Sequence, residues 1–181
     1  IDLSLLDVGV AVLANQAMNF LVSGKSPSRM GNAHPNIVPY QVFPVADGHA
    51  IIACGNDRQF QTLCSVLKLP ALAADPRAAT NSDRVTNRDM IAGLLAEATG
   101  AWTKAGLIEA LEIAGVPCGP INTVAEALSE PQVAARDLKI APENIPGLRT
   151  PLTFSRSPLS LERAAPVLGA GDWNWSQKPA P

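Results

Sequence analysis

The sequence predicts an α+β fold, and three features carry that prediction. Within the stretch from Ser28 to Asp57, an apolar run turns at Asp47-Gly48 and returns as a second apolar run. Asp-Gly between β-prone segments is a strong hairpin signal, because both residues tolerate the positive φ of a tight primed turn. Around the hairpin lie several segments with apolar residues at helical spacing and capping residues at their starts. The third feature is Val116-Pro117-Cys118-Gly119-Pro120-Ile121, which is extended because its two prolines exclude helix.

Taken in order, Ser4 with Asp7 resembles a capping box for a first helix. Leu5, Leu6, Val8, Val12, Leu13, Ala17, Phe20 and Leu21 recur along it, and Gly24 suits its end. This helix is apolar on most of its circumference, so burial on both sides is expected. A Gly/Asn/His/Pro loop follows, stiffened by Pro27, Pro35 and Pro39, and feeds the hairpin. Asn56 or Asp57 caps a helix carrying Phe60, Leu63, Cys64 and Leu67, closed by Pro70. Asp75-Pro76-Arg77 reads as a turn. Asn81 or Ser82 caps a longer helix with Val85, Met90, Ile91, Leu94 and Leu95 inward and Arg84, Arg88 and Asp89 outward. Thr103 opens a helix with Leu107, Ile108, Leu111 and Ile113 that ends at Gly115, and Thr123 with Glu126 forms a capping box for a short one. From Leu138 the chain is Pro-rich with short β-prone pieces such as Leu152-Thr153-Phe154, and the tail beyond Gly169 lacks periodicity.

The 181 residues can bury a substantial core, and a formal charge of −2 with no basic run argues against nucleic acid as partner. No apolar segment reaches the roughly 18–20 residues of a membrane span. Cys54, Cys64 and Cys118 are odd in number and dispersed, as expected of reduced thiols in a cytoplasmic protein. Two histidines without clustered Cys/His spacing make a structural metal site improbable. The chain opens at Ile1 and turns helical almost at once, so a piece of a longer protein is expected.

The chain contains no G-x-G-x-x-G, P-loop, H-E-x-x-H or G-x-S-x-G motif. His34 with Cys54 has the residue types of a base–nucleophile pair, but Cys54 lies in an apolar strand where a buried thiol is expected. His49 reads as a surface strand residue. Asp75, Arg77, Arg84 and Arg88 could bind an anion, or form a solvated helix face with a local Asp–Arg pair. Gly31, Asn32 and His34 combine close backbone approach with polar contacts, which favours a binding loop. No complete catalytic set is present.

An ordered series of segments resembles the CaiB/BaiF family, the class III CoA-transferases. They are I-D-L-S-L-L-D, R-M-G-N-A-H-P-N-I-V-P-Y, A-D-G-H-A-I-I, G-N-D-R-Q-F, D-P-R, T-N-S-D-R-V-T-N-R-D, A-G-V-P-C-G-P-I-N-T-V, P-Q-V-A-A-R-D-L and T-P-L-T-F-S-R-S-P, spanning residues 1 to about 158. The resemblance implies an enzyme that moves CoA between carboxylic acids through an aspartyl-CoA thioester, with acyl-CoA and carboxylic acid as substrates and no permanent cofactor. It implies a large Rossmann-like domain, a small α+β domain, and two subunits interlocked as a homodimer. Residues 1–34 would be the end of the large-domain helix and a connecting loop, 35–130 the small domain, and 131–181 a return segment and tail.

The family's nucleophilic aspartate lies upstream of I-D-L-S-L-L-D, so no catalytic residue is expected in this chain, and Asp2 and Asp7 are not candidates. The resemblance also implies that the retained loop covers the active site, which makes Gly31, Asn32, His34, Pro35 and Tyr40 the substrate-binding candidates. Members acting on formate and oxalate carry a glycine run where this chain has Ala33-His34-Pro35-Asn36, so oxalate chemistry is not carried over. Two rivals stand beside the transferase. The α-methylacyl-CoA racemases share the architecture, but their segment after the hairpin resembles G-A-I-E-P-Q-F rather than Gly55-Asn56-Asp57-Arg58-Gln59-Phe60. The other is a non-enzymatic interaction module with an exposed apolar helix.

Overall fold

Each strand of the hairpin finds its partner through alternation of apolar side chains, and the register places the turn one residue earlier than expected. A computed structural model describes residues 2–166 and 168–169. Strand β1 (Tyr40–Val45) pairs antiparallel with β2 (Gly48–Ala53), with Val45 opposite Gly48, so Ala46 and Asp47 form the loop. Gly48 alone in this turn has positive φ, at 150°. Asp47 serves instead as an acceptor: its Oδ1 takes the Lys104 amide at 2.6 Å. The third strand, β3 (Cys118–Ile121), adds antiparallel to β2, giving the order β1-β2-β3.

The chain divides into two compact units, Ile1–Ile121 and Asn122–Pro181. In the first, the helices are α1 (Leu5–Ala11), α2 (Ala14–Ser23), α3 (Asp57–Val66), α4 (Pro70–Ala73), α5 (Asn81–Thr86), α6 (Arg88–Thr99) and α7 (Lys104–Ile113). One face of the sheet, with Phe43, Ala50 and Ile52, meets Phe60, Leu63, Ile91, Leu95, Leu107 and Leu111 in a fully buried core. Helix α6 packs on β1, and α7 on β2 and β3. Asn56 caps α3 through the Gln59 amide and Thr103 caps α7 through the Gly106 amide, both as expected. Pro70 does not close α3; that helix ends at Val66, and the proline opens α4.

The single first helix is corrected to two. α1 and α2 are bent by 71° at Val12-Leu13, Ala14 has a φ of 45°, and Ser4 makes no side-chain cap. No residue of either helix is buried, and Leu5, Leu6, Val12 and Leu21 are each more than two-thirds exposed. No single helix among the described residues is long and apolar enough to cross a membrane.

The long helix from Asn81 is likewise two helices, α5 and α6, separated at Asn87. Its cap is Thr80, in a reciprocal capping box with Asp83, and neither Asn81 nor Ser82. Asn81 is engaged elsewhere, as its amide bridges Asn36 O and the Val38 amide. Arg84, expected outward, is fully buried, whereas Leu94, expected inward, is 40% exposed.

In the second unit, Thr123 and Glu126 form the expected capping box at α8 (Val124–Ser129), followed by α9 (Pro131–Ala135). Two short strands, β4 (Lys139–Ile140) and β5 (Gly147–Leu148), pair antiparallel. Leu152-Thr153-Phe154 forms no strand. The segment beyond Gly169, expected to lack periodicity, lies outside the described residues.

Candidate active site

Gly31, Asn32, His34, Pro35 and Tyr40 fall in one loop that ends in the first residue of β1, and hydrogen bonds from several segments hold that loop. Gly31 turns the chain with a φ of 61°, and a side chain there would meet no atom within 4 Å. The glycine is therefore required by conformation and not by crowding. Asn32 Oδ1 accepts from the Val42 amide at 2.8 Å, which ties the turn to an otherwise unpaired position of the edge strand. The His34 amide donates to Tyr40 O at 2.9 Å, closing a short loop around Pro35 and Pro39.

Inside that loop, the His34 and Tyr40 rings stack, 5.2 Å between centroids and 7° from parallel. The Asn36 amide donates to His34 Nδ1 at 3.1 Å. With Nδ1 acting as acceptor, the proton of the neutral ring sits on Nε2, leaving an N–H donor at the far edge of the imidazole. Asn36 Nδ2 also reaches Asn19 Oδ1 of α2 at 2.9 Å.

Two arginines that sequence reasoning placed on a solvated face provide the remaining anchors. Arg88 donates from its two terminal nitrogens to His34 O at 3.2 Å and Pro35 O at 2.7 Å. Arg84 lies under the next turn of chain, donating to Val38 O at 2.7 Å, Ala78 O at 3.0 Å and Asp57 Oδ1 at 2.8 Å. Its Cζ rests 4.5 Å from the centre of the Phe60 ring. The solvated-face alternative describes neither residue: Arg84 is fully buried and Arg88 half-buried. The signal that could have found them is the preceding loop: Pro35 and Pro39 lack amides, and the carbonyls of a buried non-repetitive segment need donors from elsewhere.

The other candidates separate cleanly. Cys54 is fully buried, and burial pushes its thiol up to about 12, with Cys64 pushed to about 11 for the same reason. A thiol so disfavoured as thiolate is no nucleophile at neutral pH, so the His34–Cys54 pair is set aside. His49 is exposed on β2, as expected. Asp75 and Arg77 form the local exposed pair at 2.8 Å, and hydrogen bonds from Arg77 lower the Asp75 carboxyl below its usual range. Among the described residues, no three His, Cys, Asp or Glu side chains gather into a metal-holding group.

With the loop stacked, tied and clamped, the site offers a fixed N–H donor and a rigid wall, and it lacks a nucleophile. The model of CoA-transferase family III matches residues 1–172. The succinate–glutarate CoA-transferase of Agrobacterium fabrum is 49% identical over 174 residues, covering 93% of this chain and 44% of that protein. The acetyl-CoA:oxalate CoA-transferase of Acetobacter aceti is 41% identical over 140 residues, 77% of this chain and 36% of that protein. Among solved structures, a CaiB/BaiF family protein from Brucella suis superposes with a TM-score of 0.80 at 55% identity, covering 92% of this chain and 44% of that one. The chain belongs to CoA-transferase family III. It spans less than half the length of the relatives it matches.

Proposed function

We propose that this chain is the part of an acyl-CoA:carboxylate CoA-transferase that covers the reacting thioester. The observation that carries the reading is the family match across residues 1–172, supported by relatives named for CoA transfer to succinate, glutarate and oxalate. CoA passes from an acyl-CoA donor to a carboxylic acid through an aspartyl-CoA thioester whose aspartate lies outside this chain. Residues 35–130 are read as the small domain, 1–34 and 131–181 as segments of the large domain, and the enzyme as a cytoplasmic homodimer of interlocked subunits. Three free cysteines accord with the cytoplasmic assignment.

The loop's own contribution is positional. Gly31, Asn32, His34, Pro35 and Tyr40 exclude water from the thioester, and the His34 Nε2–H faces the oxygen on which charge develops. Short dicarboxylic acids are the acceptor class, since the acids named for both relatives are dicarboxylic. The test is transfer from succinyl-CoA to glutarate by the full-length enzyme, followed by separation of the CoA esters. Appearance of glutaryl-CoA with loss of succinyl-CoA supports the reading. Hydrolysis alone, or no reaction with any carboxylic acid, overturns it.

A further inference from the structure

Beside the stacked loop, on the α6 side, lies a cleft of about 540 Å³ with two guanidinium groups on its walls. Arg29 is exposed there and has neither a hydrogen bond nor an ion pair among the described residues. Arg88 is half-buried and held by the carbonyls of His34 and Pro35, neutral partners that orient it without cancelling its charge. Ser28 and Gln41 add a hydroxyl and an amide, while Met30, Ala33 and Ala92 add apolar lining. One carboxylate, Asp89, also lines the cleft.

We propose that this cleft holds the second, non-reacting carboxylate of a dicarboxylic acid acceptor, with Arg29 as its ion-pairing partner. The proposal deepens the CoA-transferase reading and rests on it. Two cations facing one anion leave the cleft with net positive charge, which suits a monoanion. Arg88 bonds the two carbonyls next to the stacked imidazole, so a carboxylate paired with both arginines lies beside the His34 loop. Arg29 supplies the mobile arm, and a planar carboxylate accepts its fork in two parallel hydrogen bonds.

The experiment compares glutarate with butyrate, which has the same methylene reach and lacks the second carboxylate, as acceptors for the full-length enzyme. Arg29→Gln is expected to raise KM for glutarate by about tenfold or more, as loss of a charged hydrogen bond does. It leaves KM for the CoA donor and the rate with butyrate within about twofold, and Arg29→Lys restores part of the glutarate affinity. Equal changes for both acids, no change for either, or a rise in the donor KM in place of the acceptor KM each overturns the proposal; the last puts a CoA phosphate in the cleft. If the wild-type enzyme transfers CoA to no carboxylic acid, the transfer reading fails, and equilibrium dialysis with labelled glutarate still decides the cleft. Retention by wild type with loss in Arg29→Gln supports it, and equal or absent binding removes it.

Discussion

The guanidinium carbon of Arg84 lies 4.5 Å from the centre of the Phe60 ring, with its five donors hidden from water. Three acceptors from three segments meet it: Val38 O, Ala78 O and Asp57 Oδ1. A planar fork over an aromatic face can serve all three at once, and an ammonium cannot. Arg84→Ala should therefore lower stability by about 3 kcal/mol or more, since two carbonyls lose their donor and a cavity opens beneath the site loop. Arg84→Lys should recover less than half of that. Equilibrium urea unfolding measures both, and a loss under about 1 kcal/mol would show that the buried network is dispensable.

His34 should show its tautomer directly. Because Nδ1 accepts from the Asn36 amide, the neutral ring carries its proton on Nε2. Long-range ¹H–¹⁵N correlation spectra at alkaline pH should give the Nε2–H pattern, and Asn36→Pro, which removes the amide donor, should return a mixture. A pure Nδ1–H pattern in the wild-type protein would contradict the geometry.

At Gly31 the φ of 61° penalises any β-branched side chain, although space is open around it. Gly31→Val should cost about 1–2 kcal/mol, and Gly31→Asn clearly less, because asparagine tolerates the left-handed region. Thermal unfolding gives the order, and turnover of the full-length enzyme should fall with Gly31→Val as the loop changes shape. Equal melting temperatures for the two variants would mean that the turn rearranges freely.

The buried thiols set an alkaline limit. Burial raises Cys54 to about 12 and Cys64 to about 11, whereas the same thiols in the unfolded chain ionise near 9.0. Above that lower value the unfolded chain binds fewer protons than the native one, so stability falls as pH rises from about 9 toward 11 and 12. Below it these two groups contribute no slope. Urea midpoints between pH 7 and 11 check the sign, and replacing both cysteines with alanine should flatten this part of the profile. In the native protein a disulfide reagent should modify half-exposed Cys118 well before Cys54 or Cys64.

Local chemistry was legible in the sequence where the deciding partners lie within a few residues. The Asn56, Thr103 and Thr123 caps, the burial of Phe60 and Leu63, and the extended Cys118–Ile121 strand all follow from short spacings. The hairpin was legible in existence and off by one in register, because the Asp47 carboxylate is used by the Lys104 amide 57 residues away and not by its own turn. Arg84 was misplaced for the same reason. A helical charge reads as outward until its acceptors are known, and Val38 O lies 46 residues upstream. Asn81 was taken for a cap because the type fits, whereas distant Asn36 and Val38 claim both ends of its amide. The loop residues were identified through a resemblance; the clamp that shapes them required three dimensions.

The bent pair α1–α2 governs how a solution of this chain behaves. Leu5 is 91% and Val22 83% open to solvent, and the net charge of −2 supplies little mutual repulsion between molecules. Such a surface should make the isolated chain adhesive. Scattering should grow with concentration and with added ammonium sulfate, which strengthens apolar contact, and a mild non-ionic detergent should reverse it by coating those leucines and valines. Replacing Leu5, Leu6, Leu21 and Val22 with glutamine would convert the same chain into a well-dispersed sample without touching the sheet, the buried core or the stacked loop.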